Sequence, residues 1–276
     1  MPEVAPGSFA QTRLHPGEYI LAINGHDVRL DEKLYEFIND KQGRDFEFLV
    51  STNLNKEHAR KVRYKVLSGD EWRQLDYRNR IEQARKLVDK LSGGRVGYLH
   101  LAAMGGENRV EFEREAYAQV AGKDALVIDV RFNAGGNIAD SLIDWLERRP
   151  HGYVRIRDGG DELSPSQAWT KPIVVLINEH SFSNAELFAS AIRTRRLGRL
   201  VGQPTPGYVI WTDGLKLVDG TNARMPQSGA WRLDGTPFEN HGEEPDVRVP
   251  LTQEDRRAGR DPQLEKALEL LGHGKK

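Results

Sequence analysis

The segment KPIVVLINEHSFSNAELFASAI, residues 171–192, constrains the fold more than any other stretch of the chain. An apolar run, Ile173 to Ile177, stops at Asn178 and Glu179. A polar turn, His180 to Asn184, follows, and then Leu187, Phe188, Ala191 and Ile192 recur at helical spacing. This reads as a strand, a sharp turn and a helix. Such a joint lifts one side chain off the end of a sheet and aims the first N–H groups of the helix at whatever sits there. The lifted residue is Ser183. On its own, a serine in this place is a helix cap, because its hydroxyl suits the unpaired amides of the first turn. Two further segments bear on that choice.

The first is DVRFNAGGN, Asp129 to Asn137. A buried strand, Ala125 to Val130, runs directly into Asn133-Ala134-Gly135-Gly136 and then into a helix over 138–147. Paired glycines permit positive φ and let backbone N–H groups approach an anion closely. Taken alone, the segment is equally a plain tight turn. It lacks the Lys-Ser/Thr of a phosphate-binding loop and the spacing of a dinucleotide fingerprint. The second is PFENHGEEPDV, Pro237 to Val247. It is polar and turn-rich, and alone it reads as a solvated loop.

The rest of the chain sets these joints in a frame. Residues 17–30 read as a strand, a tight Asn24-Gly25 turn and a second short strand. Residues 31–42 read as a short amphipathic helix with Leu34, Tyr35, Phe37 and Ile38. Strands are expected over 46–50 and 60–66. Together these form a unit of about 65 residues, near the lower limit for an independent core. A helix carrying Trp72, Leu75, Ile81, Ala84, Leu87, Val88 and Leu91 ends at Gly93-Gly94. Strand 95–102, helix 107–120, strand 125–130, helix 138–147, strand 173–177, helix 184–195 and strand 200–201 then alternate. That alternation predicts a largely parallel sheet covered on both faces. Residues 208–233 read as antiparallel hairpins turning at Asp219-Gly220, and 262–271 as a closing helix.

Composition removes several classes of function. The 276 residues are 38% hydrophobic and 29% charged with a net charge of −1. That balance gives no long-range attraction to nucleic acid or to an anionic membrane. There is no cysteine, which excludes disulfides, thiolate nucleophiles and cysteine metal sites. The eight histidines show no pair at ligand spacing on one helix face, so no metal or other cofactor is expected. The opening MPEVAPGSFAQTRL has no apolar core of a secretion leader. No apolar run approaches the roughly 20 residues that span a bilayer. A cytoplasmic location is expected.

DVRFNAGG, INEHSFSNAELF, LVGQPTPG and FENHGEEPDV, in that order, resemble the catalytic domain of tail-specific (C-terminal processing) serine proteases, in particular their tricorn branch. The resemblance runs from about Gly17 to the C-terminus. It implies a ClpP/crotonase-like α/β fold, a mostly parallel sheet with helices on both faces, preceded by a small partial PDZ-like unit. The implied division is 1–68 truncated PDZ-like domain, 69–94 connecting helix and 95–276 catalytic domain. The PDZ-like part lacks the first strands and the carboxylate-holding loop of such domains. Peptide capture there is not expected, and the exposed edge is free for association.

The resemblance also assigns a site. Ser183 matches the nucleophile, the N–H groups of Gly136 and Asn184 the oxyanion hole, and Glu239 the acid that orients a catalytic histidine. In the Ser/Lys branch of that family the base is a lysine in a Gly-Lys-Gly setting. The matching position here is Tyr208, in Pro206-Gly207-Tyr208, and a phenol cannot serve as that base. In the Ser/His/Glu branch the histidine precedes the PDZ domain, and no histidine of this chain matches it. His100 reads as a packing residue, His180 lies close to the serine along the chain, and His241 is the best substitute. The chain is therefore expected to be cut from a longer one and to have negligible peptidase activity alone. Asn184 replaces the aspartate that favours basic side chains at the cleavage position, so that preference is expected to weaken. Expected partners are peptide substrates and further copies of the chain. Two other readings share the fold: a non-catalytic ligand- or peptide-binding module, and an acyl-CoA enzyme of the crotonase group.

Overall fold

A computed structural model of the chain describes residues 6–29, 31–120 and 122–273, with the side chains of Leu34 and Gln119 outside the description. Leu30 at the end of the expected second strand, and the Leu34 side chain of the expected first helix, therefore lie outside the described residues. The chain divides into two compact units, Met1–Gln83 and Ala84–Lys276.

The first unit is a four-stranded antiparallel sheet. β1 (Tyr19–Ile23) turns through Asn24-Gly25 into β2 (His26–Asp27). Asn24 has φ +48° and Gly25 φ +82°, the double positive φ that a two-residue hairpin turn needs. α1 is shorter than expected, Leu34–Ile38. Extended backbone at Asn39 and φ +62° at Asp40 stop it before a second turn is complete. β3 (Asp45–Ser51) and β4 (Arg60–Lys65) complete the order β2-β1-β3-β4. Phe46, Phe48 and Val50 alternate inward and meet Leu14, Ile23 and Val62, so strand period two builds this core. α2 (Gly69–Ser92) follows and ends at Gly93 and Gly94, both at positive φ.

The second unit holds a five-stranded, wholly parallel sheet. Its strands are β5 (Val96–His100), β6 (Ala125–Asp129), β9 (Ile173–Ile177), β10 (Arg199–Gly202) and β13 (Val247–Arg248), in the order β13-β10-β9-β6-β5. Every residue of β6 and β9 is buried. ALVID and IVVLI carry apolar residues without alternation because both faces of these central strands are covered. α3 (Gly106–Glu115) continues into a π-helical turn, Ala116–Val120, inside the span expected as one helix. α4 (Ala139–Leu146) and α5 (Asn184–Thr194) pack on each other, and α7 (Pro262–Leu270) packs on β9 and β10. α6 (Gln253–Arg257) is one capped turn.

Three features escape the sequence reading. The hairpin of β7 (Gly152–Arg155) and β8 (Asp161–Ser164) is almost wholly exposed, so no burial pattern marks it. β13 is two residues long and exists only because Val201 and Gly202 offer it a free edge. Residues 208–233 form one hairpin, β11 (Ile210–Lys216) with β12 (Asn222–Gly229), and an isolated bridge between Trp231 and Pro237. The turn at Asp219-Gly220 is as expected.

Parallel sheets place their functional loops beyond the carboxyl ends of the strands. β6 and β9 are neighbours in register, Asp129 beside Leu176. The segments that leave them, 130–138 and 178–183, therefore emerge side by side.

Candidate active site

The two emerging loops are laced together by buried polar side chains. The Asn178 amide oxygen accepts the N–H of Phe132 at 3.0 Å and that of His180 at 3.1 Å. The Ser181 hydroxyl donates to the Val130 carbonyl at 2.8 Å and accepts the Asn178 N–H at 2.9 Å. Asn133, fully buried, accepts the Gly135 N–H at 2.8 Å and donates to the Leu101 carbonyl at 2.7 Å. Its own carbonyl accepts the Phe182 N–H at 2.9 Å. Each bond satisfies a group that would be costly to leave unpaired away from water.

Ser183 sits at the top of this joint with φ +56° and ψ −112°. A non-glycine residue in this region is strained, and such strain gathers at functional turns. The hydroxyl makes no hydrogen bond to the helix it begins, so it is not spent as a cap. The Ser183 N–H instead donates to Glu186 Oε1 at 3.1 Å.

The Gly135-Gly136 turn lies against the serine. A Cβ on Gly135 would fall 2.9 Å from Ser183 Cβ, and one on Gly136 would fall 2.0 Å from the Met104 carbonyl oxygen. Gly135 O accepts the Met104 N–H, and Met104 O accepts the Asn137 N–H, each at 2.8 Å. Those bonds flank Gly136, so its own N–H points away from Met104. Among the described residues no protein acceptor takes the N–H of Gly136 or of Asn184. The Asn184 side chain, 8% exposed, accepts the Ala139 N–H at 2.8 Å and so faces the start of α4.

Glu239 arrives by a longer route. Fully buried Glu186 accepts four donors: Ser183 N–H, Tyr208 N–H at 2.8 Å, Gly207 N–H at 2.6 Å and the Thr205 hydroxyl at 2.6 Å. Gly207 O then accepts the Asn240 N–H at 2.8 Å, next to Glu239. Thr205 Oγ1 also accepts the Glu243 N–H at 2.7 Å. Glu243 is buried and ion-paired with Arg193 and Arg232, each at 3.1 Å. Glu239 itself is exposed, and among the described residues no side chain pairs with its carboxylate.

His241 directs Nδ1 at the Glu239 backbone carbonyl, 2.9 Å away, not at its carboxylate. His180 stacks on Phe132 with ring centres 5.2 Å apart. His100 is half-buried, with Nε2 3.3 Å from the Arg131 carbonyl.

Behind the glycine turn, Arg131 and Asp129 form a buried pair at 2.6 Å, and Arg131 also grips Asp261 at 2.8 Å and Gln263 at 2.8 Å. Tyr98 donates to Asp129 at 2.8 Å. Burial alone would raise the Asp129 carboxyl, but the guanidinium of Arg131 outweighs it and holds the carboxyl below its usual range. Burial, then the Asp129 charge, pushes the Tyr98 phenol well up. Glu186, Thr205, Glu243 and Asn133 all escape the sequence reading as site-builders. Glu186 three residues after a serine looks like half of a capping box, and no local signal marks the others.

Residues 95–249 match the model of peptidase family S41. The chain belongs to peptidase family S41. The tricorn protease of Thermoplasma volcanium is 31% identical over 257 residues, 92% of this chain and 24% of that protein. Tricorn protease homolog 1 of Streptomyces coelicolor is 34% identical over 275 residues, 98% of this chain and 25% of that protein. A carboxyl-terminal-processing protease of Synechocystis is 26% identical over 239 residues, 80% of this chain and 51% of that protein. The crystal structure of the tricorn protease superposes with a TM-score of 0.78 at 29% identity, over 93% of this chain and 25% of that one. The chain thus spans about a quarter of the length of the tricorn relatives it matches. S41 membership sets aside the crotonase reading. Among the described residues, no helix is long and apolar enough to cross a membrane.

Proposed function

We propose that this S41 chain carries three parts of a serine peptidase active site: Ser183 as nucleophile, the N–H groups of Gly136 and Asn184 as oxyanion hole, and Glu239 as the acid. In this reading a base takes the Ser183 proton as Oγ attacks the peptide carbonyl. The two amides receive the oxyanion, and the protonated base passes its proton to the leaving amine. Water then cleaves the acyl-enzyme. Glu239 holds and stabilises the imidazolium. The observation that carries the reading is the strained Ser183 turn, its hydroxyl uncommitted to the helix, pressed against a glycine turn with an unpaired amide.

The imidazole is proposed to come from outside residues 1–276, because His241 turns Nδ1 to the Glu239 backbone carbonyl rather than to its carboxylate, and the His180 ring stacks on Phe132. Residues 1–276 alone then hydrolyse peptides negligibly, since loss of one triad member costs about 10⁴-fold. Peptide substrates, assembly into a homo-oligomer, a cytoplasmic setting and a PDZ-like character for residues 1–68 are proposed on the family likeness. So is the division into a 69–94 connecting helix and a 95–276 catalytic domain. Neutral Asn184, bonded to the main chain of α4, supports a weakened preference for lysine or arginine.

The His241 contact to the Glu239 backbone carbonyl in place of its carboxylate favours a second reading, a non-catalytic ligand- or peptide-binding module. A fluorophosphonate probe separates the two. Slow labelling confined to Ser183, accelerated by a segment that supplies the histidine, supports the peptidase. No labelling under either condition, with apolar ligand binding instead, supports the module.

A further inference from the structure

We propose that Phe182 and Tyr208 form the subsite that receives the substrate side chain flanking the scissile bond, and that it selects aromatic and large apolar side chains. The proposal rests on the peptidase reading of Ser183 and names the substrate class of that site.

Four observations converge on these two rings. Phe182 precedes the nucleophile, and its ring packs on the glycine turn: a Cβ on Gly135 would lie 3.4 Å from Phe182 Cδ1. The Tyr208 ring meets the Phe182 ring edge to face, with centres 5.6 Å apart and planes at 73°. Tyr208 N–H and Ser183 N–H share one acceptor, Glu186 Oε1, at 2.8 Å and 3.1 Å. One carboxylate therefore holds the backbone of Tyr208 and the backbone of the serine together. Finally, Tyr208 is 57% exposed although it lies in a tightly built loop. Gly207, at φ +76°, passes so close to the acid loop that a Cβ would meet His241 N at 2.7 Å.

Exposed aromatic rings scattered over a surface are ordinary. This pair differs in its place and its anchorage. A third ring docking on an edge-to-face pair gains both buried area and favourable ring geometry. Glu186, the Asn184 side-chain oxygen and Glu239 are committed elsewhere in this reading. Glu186 is buried under four donors, and the Asn184 side-chain oxygen accepts the Ala139 N–H. Glu239, on the neighbouring loop, is assigned to the base.

The test uses residues 1–276 and acetylated peptide amides that differ only in one side chain: Phe, Leu, Ala, Lys or Asp. Binding is read by NMR on the wild-type chain and on S183A, which needs no covalent step. The Phe peptide is expected to bind about tenfold more tightly than the Ala, Lys and Asp peptides. That preference should fall to within about twofold in Y208A and F182A and persist in Y208F, which keeps the ring. Equal affinities across the wild-type series, preference for Lys, survival of the preference in both alanine variants, or absence of binding each overturns the proposal. Fluorophosphonate labelling of Ser183 in the same sample reports on the nucleophile separately.

Discussion

Thr205 Oγ1 donates to Glu186 Oε2 at 2.6 Å while accepting the Glu243 N–H at 2.7 Å, so one hydroxyl joins the serine turn to the loop that carries Glu239. Thr205→Val keeps the shape and removes both bonds. One donor to the buried Glu186 carboxylate disappears, and a buried N–H is left unpaired. The expected loss is about 1–3 kcal/mol, read as a lower urea midpoint at unchanged slope. Thr205→Ser retains the hydroxyl and should recover most of it. Equal stability of all three chains would remove the hydroxyl from this role.

On the peptidase reading, a free base added to the chain should stand in for the proposed imidazole. Added imidazole is expected to raise fluorophosphonate labelling of Ser183 by roughly tenfold, a fraction of what a positioned base supplies. Glu239→Gln should lose most of that gain, and Ser183→Ala all labelling. A rate indifferent to imidazole would argue against a waiting nucleophile.

Gly136 has no room for a methyl group, at φ +148° with the Met104 carbonyl 2.0 Å from any Cβ. Gly136→Ala must move the turn and is expected to cost about 3 kcal/mol or more. Gly106, with open space around its Cα, is the control; Gly106→Ala should stay within about 0.5 kcal/mol. Thermal melts of the two variants make the comparison.

The Asp129–Arg131 pair predicts acid sensitivity. The folded Asp129 carboxyl lies below its usual range, so the unfolded chain binds that proton more readily. Its stabilisation is full above the ordinary carboxylate value of about 3.9 and is lost as pH falls through the lower folded value. Melting temperature should drop steeply over that window. Asp129→Asn, which strips Arg131 of its closest counter-charge, should be less stable at neutral pH and show a shallower acid drop.

The legible parts of this protein are those written locally. β6 and β9 are short unbroken apolar runs, and the turns after them are marked by Gly135-Gly136 and by the polar stretch before Asn184. S41 membership matches the motif resemblance. The helix expected over 31–42 is confined to Leu34–Ile38, because its last apolar position is Ile38 and the backbone leaves the helix at Asn39 and Asp40. The exposed β7–β8 hairpin had no burial pattern to betray it.

The amino-acid order alone determined the strand–turn–helix joints, the parallel sheet and the absence of thiol chemistry, since each follows from side-chain periodicity or composition. Folding in three dimensions decided the rest: that Glu186 serves 183, 205, 207 and 208 together, that Thr205 reaches Glu243, that Asn184 turns toward α4, and that Phe182 meets Tyr208. A buried polar group or an aromatic ring takes whichever partner packing brings within reach, and that partner lies 19 to 45 residues away in the bonds Glu186–Thr205, Thr205–Glu243 and Asn184–Ala139. Local pattern carries no record of contacts made across such distances.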